Sequence, residues 1–179
     1  MIGETKELRL RFREGREAEK TVCRPLFLMA DESETMLARY LDRARLFVAE
    51  AADEGNVLNV GIVASALVTN EGGGVAELKN LAVAPDLRGR GVGRRMIEAV
   101  REACAGRFRT LRVGTGAGTP TVRFYEKCGF REVGRIPEFF TENYPEPIWE
   151  EGVLLCDMAV LEMPVGPSEH AEPTDPADP

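Results

Sequence analysis

Histidine is nearly absent from this 179-residue chain, and the single one, His170, lies close to the C-terminal end. A zinc site built from His and Cys therefore lacks half of its usual ligand set, and no metal is expected. The four cysteines, Cys23, Cys104, Cys128 and Cys156, are scattered and form no C-x-x-C pair. They read as reduced thiols rather than a disulfide framework. No run approaches the roughly eighteen apolar residues that a membrane span needs. The first residues are charged and offer no signal-peptide apolar stretch, so a cytoplasmic protein without a membrane partner is expected. Basic residues are in the minority, 23 Lys and Arg against 30 Asp and Glu, for a net charge of −7. That balance argues against a nucleic-acid partner.

Hydrophobic residues make up 44% of the chain, enough for one ordinary core. A single domain over residues 1–163 is expected. From Pro164 onward the chain holds five prolines, four acids (Glu169, Glu172, Asp175, Asp178) and no Lys or Arg. That composition buries too little to order itself, so residues 164–179 read as a disordered tail.

The most informative stretch is Val83-Ala-Pro-Asp-Leu-Arg-Gly-Arg-Gly-Val-Gly93. Arg88, Gly91 and Gly93 fit R-x-x-G-x-G. An apolar strand (Leu78 to Val83) precedes it, and Pro85 ends that strand because it donates no ladder hydrogen bond. A helix (Val92 to Cys104) follows, with Val92, Met96, Ile97, Val100 and Cys104 spaced to bury one face. Strand, glycine turn and helix start form a cradle for phosphate oxygens, because glycine lets the backbone approach and the first helical N–H groups point at the anion. Arg88, Arg90, Arg94 and Arg95 crowd the helix start, where the dipole disfavours cations. A bound polyanion supplies a reason; a Gly-rich turn with solvated arginines is the other reading.

A second constellation lies downstream. Leu111 to Val113 reads as a strand and Gly114 to Gly118 as a loop. Thr119 and Pro120 look like an N-cap and first helical position. Val122 to Cys128 is then a short helix, with Gly129 suited to its left-handed stop and Phe130 beginning the next strand. The run is Arg123-Phe-Tyr-Glu-Lys-Cys-Gly-Phe130.

With both motifs in order, the chain resembles the GNAT superfamily of acetyl-CoA-dependent N-acetyltransferases. The family carries an R/Q-x-x-G-x-G/A loop after its fourth strand and an F-Y-x-K-x-G-F-like helix some thirty residues later. The likeness runs in element order from about Leu46 to Met163, specific in the two motifs and loose elsewhere. It implies an α/β GNAT fold: a mixed, mostly antiparallel sheet, splayed at its centre, with helices on both faces. It also implies acetyl-CoA as co-substrate and direct attack of an amine on the thioester in a ternary complex. The backbone of Leu81, Ala82 and Val83 would pair with the pantetheine arm. Arg88, Gly89, Arg90, Gly91, Val92, Gly93 and Arg94 would hold the CoA pyrophosphate. Tyr125 would protonate the departing thiolate, unless it is a core aromatic with a bonded hydroxyl. Glu77 stands where some members place a general base. By strand alternation it shares a face with Lys79, Leu81 and Val83, so a salt-bridged strand residue is the alternative. Many members place an Asn after the fifth strand; here Thr115 to Thr119 leaves backbone groups of the glycines to take its place. Covalent catalysis through Cys128 is the rival mechanism; Cys128 lies at a helix end three residues from Tyr125, and the single histidine, His170, lies in the tail.

The remaining elements read as follows. Lys6 to Arg13 is an early strand, Arg16 to Lys20 an exposed charged stretch, and Arg24 to Ala30 a strand. Asp31 to Glu34 has capping-box character before a short helix carrying Met36, Leu37, Tyr40 and Leu41. Leu46 to Ala51 and Val57 to Thr69 are strands joined by a hairpin turn at Ala52 to Asn56. Asn70 to Gly74 turns into the Glu77 strand, whose Asn80 points to the other face as a structural residue. Val153 to Leu161 is a final strand.

Residues Pro137 to Gly152 hold Phe139, Phe140, Tyr144 and Trp149, four of the chain's twelve aromatic residues. They also hold Glu138, Glu142, Glu146, Glu150 and Glu151, and no base. Such a segment suits a wall of an acceptor site that favours a small cationic amine. A surface flap plugging the sheet or a dimer contact is the competing reading, and a homodimer fits the family. Acetylation of protein N-termini or lysines, a catalytically silent acyl-CoA sensor, and a pure interaction scaffold remain as alternatives.

Overall fold

The computed structural model describes residues 9–53 and 56–166. The tail reading beyond residue 166, with His170, and the turn at residues 54–55 lie outside them. The chain forms two compact units. One comprises the described residues up to Val68 together with Lys79–Val100, and the other Thr69–Leu78 with those from Arg101 on.

The first unit opens with β1 (Arg9–Glu14), followed by α1 (Glu19–Ala30) and α2 (Glu34–Ala38). Strands β2 (Arg45–Asp53) and β3 (Asn56–Gly72) come next, the latter ending in the second unit. β1 pairs antiparallel with β2, Phe12 opposite Ala49, and β2 pairs antiparallel with β3, Phe47 opposite Ala66. Cys23 and Phe27 of α1 pack with Leu37, Tyr40, Leu46, Val48 and Leu67 as its core. The capping signal holds: the Ser33 hydroxyl accepts from the Met36 N–H at 3.2 Å.

Two expectations fail here. Arg24–Ala30 belongs to a helix rather than a strand, and Glu19 and Lys20 are buried rather than exposed. The reasons are linked. The inward face of α1 is Glu19, Lys20, Cys23 and Phe27, a helical spacing disguised in the sequence by its two charged members. Both charges are satisfied. Glu19 receives two hydrogen bonds from Arg13, and the Lys20 ammonium donates 2.8 Å to the Leu41 carbonyl. Pro25 sits inside this helix, where a proline weighs against the helical reading.

The second unit contains β5 (Thr110–Gly116), α4 (Pro120–Lys127), β6 (Arg131–Ile136), α5 (Phe139–Asn143), the short strands β7 (Trp149–Glu150) and β8 (Val153–Leu154), and β9 (Met158–Pro164). β4 (Val75–Val83) begins here and finishes in the first unit. Its residues Val75–Leu78 pair parallel with Thr110–Val113, whereas β5–β9 and β6–β9 are antiparallel. Val165 is buried, its N–H donating 3.1 Å to the Arg109 carbonyl.

Two boundaries differ from expectation. β5 runs on through Gly114 and Gly116, read as loop, because these glycines are packing residues. A Cβ on Gly114 would lie 2.5 Å from the Met158 Sδ, and one on Gly116 2.5 Å from a Leu155 methyl. The final strand is interrupted between Leu154 and Met158. There the Asp157 carbonyl accepts from Ala117 and the Cys156 carbonyl from Phe140.

The seven principal strands form one mixed sheet in the order β1-β2-β3-β4-β5-β9-β6, and β7–β8 form a separate hairpin. This is the mixed α/β, mostly antiparallel arrangement expected. No helix among the described residues is long and apolar enough to cross a membrane.

Candidate active site

In the first unit, the segment from Leu81 to Arg95 runs from a strand through a glycine-bearing turn into a helix. β4 alternates: Ala76, Leu78, Asn80 and Ala82 are buried, while Glu77, Lys79, Leu81 and Val83 are half-buried. The strand stops at Ala84, and Pro85–Leu87 makes a single 3-10 turn. Gly89 and Gly91 then take φ of +72° and +78°, the left-handed region that glycine enters without strain. An added Cβ at either would meet no protein atom within 4 Å, so the loop surface there is open. Gly93 already lies inside α3 (Val92–Cys104). The helical ladder begins with Arg95 N–H to Gly91 O at 3.1 Å. The amides of Val92, Gly93 and Arg94 are thus first-turn donors without helical acceptors. All five inward residues of α3 are buried as expected, Val92, Met96, Ile97, Val100 and Cys104.

The arginines divide. Arg88 Nε donates 3.1 Å to the Val83 carbonyl, Arg94 pairs with Glu98 at 3.3 Å, and Arg95 lies 4.8 Å above the Phe12 ring. Their clustering therefore has internal reasons beside any anion. Arg90 is exposed, with no partner among the described residues.

In the second unit, α4 presents Tyr125. Thr119 sits at the N-cap with Pro120 following, yet its hydroxyl donates back to the Gly116 carbonyl at 2.9 Å instead of capping the helix. Gly129 takes φ of +101° and ends the helix as expected. Tyr125 is 7% exposed, its ring edge-on to Phe124 and Phe130 at 5.2 and 5.5 Å. No hydrogen-bond partner for its hydroxyl is found among the described residues. Burial, then the neighbouring Cys128 and Glu150, holds the phenol pKa above its ordinary value.

Glu77 lies in the same unit, half-buried on β4 and level with Arg112 of β5. Arg112 itself reaches Glu162 on β9 at 2.7 Å. Cys128 is half-buried at the end of α4, and all four cysteines are free thiols. Where the family's Asn is missing, the Ala117 N–H is already spent on the Asp157 carbonyl at 2.9 Å.

The 137–152 segment is part helix and part hairpin. Phe140 meets Phe139 edge-on at 5.3 Å and stacks on Tyr144 at 5.7 Å. Trp149 is 64% exposed. One contact escaped the sequence reading: the Thr121 hydroxyl donates to the Glu150 carboxylate. A separation of 29 residues left no pattern to find it.

Residues 42–132, which include both motifs, match the model of an acetyltransferase (GNAT) domain. Over 138 residues the chain is 30% identical to the "Uncharacterized N-acetyltransferase YvbK" of Bacillus subtilis (strain 168), covering 76% of this chain and 84% of that protein. Among solved structures it is similar to the IAA acetyltransferase from Bacillus cereus ATCC 14579, at a TM-score of 0.77 and 27% identity over 87% of this chain and 99% of that one. It is also similar to a GNAT family acetyltransferase from Elizabethkingia anophelis with acetyl-CoA bound, at 0.75 and 29% over 87% and 97%.

Proposed function

The chain belongs to the GNAT family of acetyltransferases, and from that premise we propose that it moves the acetyl group of acetyl-CoA directly onto the amine of a small cationic acceptor within a ternary complex. The observation that carries the donor assignment is the loop at Gly89 and Gly91. Two left-handed glycines with open space beside them stand ahead of three helical amides without helical acceptors. That is a fit for a pyrophosphate, whose oxygens take backbone N–H donors and tolerate no Cβ in their way. Arg88, Arg90 and Arg94 add positive charge around it. The half-buried Leu81 and Val83, with Ala82, supply the strand backbone for the pantetheine arm.

The chemistry needs two proton movements. The amine nitrogen attacks the thioester carbonyl carbon, the carbon–sulfur bond breaks, and the amine's proton leaves. Tyr125 supplies a proton to the departing sulfur. Its raised pKa keeps it protonated at neutral pH, and the desolvation that raises it acts on a thiolate leaving beside it as well. Glu77, or a water chain ending there, takes the amine's proton. The carboxylates of the 137–152 segment, which includes no base, support a cationic acceptor.

The test is acetyl-CoA binding by calorimetry, followed by thiol release against small cationic amines, neutral arylamines and peptides with free N-termini or lysines. Thiol release led by the small cationic amines is the expected result. Release led by the peptides would move the acceptor to protein substrates.

A further inference from the structure

Of the five glutamates between residues 137 and 152, Glu138, Glu142, Glu146 and Glu151 are exposed, and Glu150 alone is half-buried. Its carboxylate accepts the Thr121 hydroxyl. No Lys or Arg pairs with it among the described residues. A carboxylate partly withdrawn from water without a cation is costly, since a hydroxyl donor offsets only part of the lost hydration. Its location adds meaning. Thr121 and Tyr125 are one helical turn apart, so they share a face of α4. The bond to Thr121 fixes the Glu150 carboxylate at the start of that face, and its charge is one of the three causes that hold the Tyr125 phenol protonated.

We propose that Glu150 is the acceptor's anchor: it binds a second ammonium group of the substrate and so delivers the reacting amine beside Tyr125. This rests on the acetyltransferase reading above and deepens it. The nucleophile must be neutral to attack, so an anchoring carboxylate is useful only to an acceptor with another cation. The substrate class is therefore a diamine or polyamine. An arylamine or a simple alkylamine leaves Glu150 without its partner. The anchored hydroxyl matters because a carboxylate free to swing does not favour one distance between the two amines. Glu150 is a specificity residue in this account; the bond-making groups are those assigned above.

A purely structural role is the competing account, since a carboxylate near the first turn of a helix also stabilises that helix. The two separate in one experiment. Rates of thiol release are measured for 1,4-diaminobutane and n-butylamine with the wild-type protein, Glu150→Gln and Thr121→Val, with Tm recorded for each. Glu150→Gln keeps an oxygen for Thr121 and removes the charge. The expected result is that the wild type prefers the diamine and that Glu150→Gln reduces the diamine-to-monoamine ratio of kcat/KM by about tenfold or more. Thr121→Val, which keeps the charge, reduces the same ratio by less. A ratio unmoved in both variants, even with lowered Tm, overturns the anchor and leaves a structural tether. A wild type that prefers the monoamine overturns the anchor and spares the acetyltransferase reading. A wild type inert towards every amine overturns that reading, and the anchor with it.

Discussion

The side-chain amide of Asn80 donates 2.9 Å to the backbone carbonyl of Phe27, from the buried face of β4 to the C-terminal turn of α1. That carbonyl also receives the Asp31 N–H at 3.0 Å. The same amide reaches the Tyr40 hydroxyl at 3.4 Å, which donates in turn to Asp31 at 3.2 Å. Asn80 therefore fixes, from behind, the strand whose half-buried face carries Leu81 and Val83. Asn80→Ala should cost about 1–3 kcal/mol in chemical denaturation. Asn80→Asp should cost more at neutral pH than in acid, because a buried carboxylate would then face the Phe27 carbonyl oxygen. Equal losses at both pH values would contradict this account of the site.

Acid should loosen the first unit through Glu19. Arg13 and Arg16 hold this carboxyl below its ordinary value of 4.5, and Arg13 depresses Glu50 in the same direction. The folded pKa lies below the unfolded one, so the stabilisation is complete above the unfolded value. It is lost as pH falls towards the folded pKa. Thermal unfolding followed from about pH 7 to about pH 3 should show a declining Tm in the wild type, with a shallower decline in Glu19→Gln.

Gly91 separates backbone strain from cofactor contact. At φ +78° an alanine costs about 1–2 kcal/mol of folding stability. A Cβ there meets no protein atom within 4 Å, so nothing further should be lost without ligand. Acetyl-CoA affinity measured by calorimetry should fall by at least tenfold, because the Cβ occupies space assigned to phosphate oxygens. Unaltered affinity would remove the loop from the donor site.

Tyr125→Phe should lower kcat by roughly 10²–10⁴-fold and leave acetyl-CoA binding within a few-fold. The pH dependence has a definite sign. Burial holds the phenol pKa above 10, so its proton is retained through neutral pH and is lost only as pH rises beyond that ordinary value. The wild-type kcat should therefore show no loss attributable to this group below about pH 10.

Much of this was legible in the residues, for physical reasons that particular elements make plain. The Arg88–Gly93 loop and α3 could be read because glycines, a strand-ending proline and five apolar residues at helical spacing agree. The short helix α4 and its Gly129 stop could be read because Pro120 and Gly129 mark its two ends. α1 was hidden because two charges lie on its buried face, balanced by Arg13 of the preceding strand and by the Leu41 carbonyl 21 residues from Lys20. The end of β5 was hidden because glycines chosen to admit Met158 and Leu155 carry no strand pattern of their own. The Phe12 ring beneath Arg95 emerges only in three dimensions, whereas the Arg94–Glu98 pair lies at the i,i+4 spacing of the helix itself.

The proposed acetyl transfer runs directly from acetyl-CoA to an amine, without an acetylated enzyme. Initial rates with both substrates varied test it most directly. Direct attack in a ternary complex predicts intersecting double-reciprocal lines, and the same pattern in a still-active Cys128→Ala. Parallel lines in the wild type, with no turnover in Cys128→Ala, would contradict it.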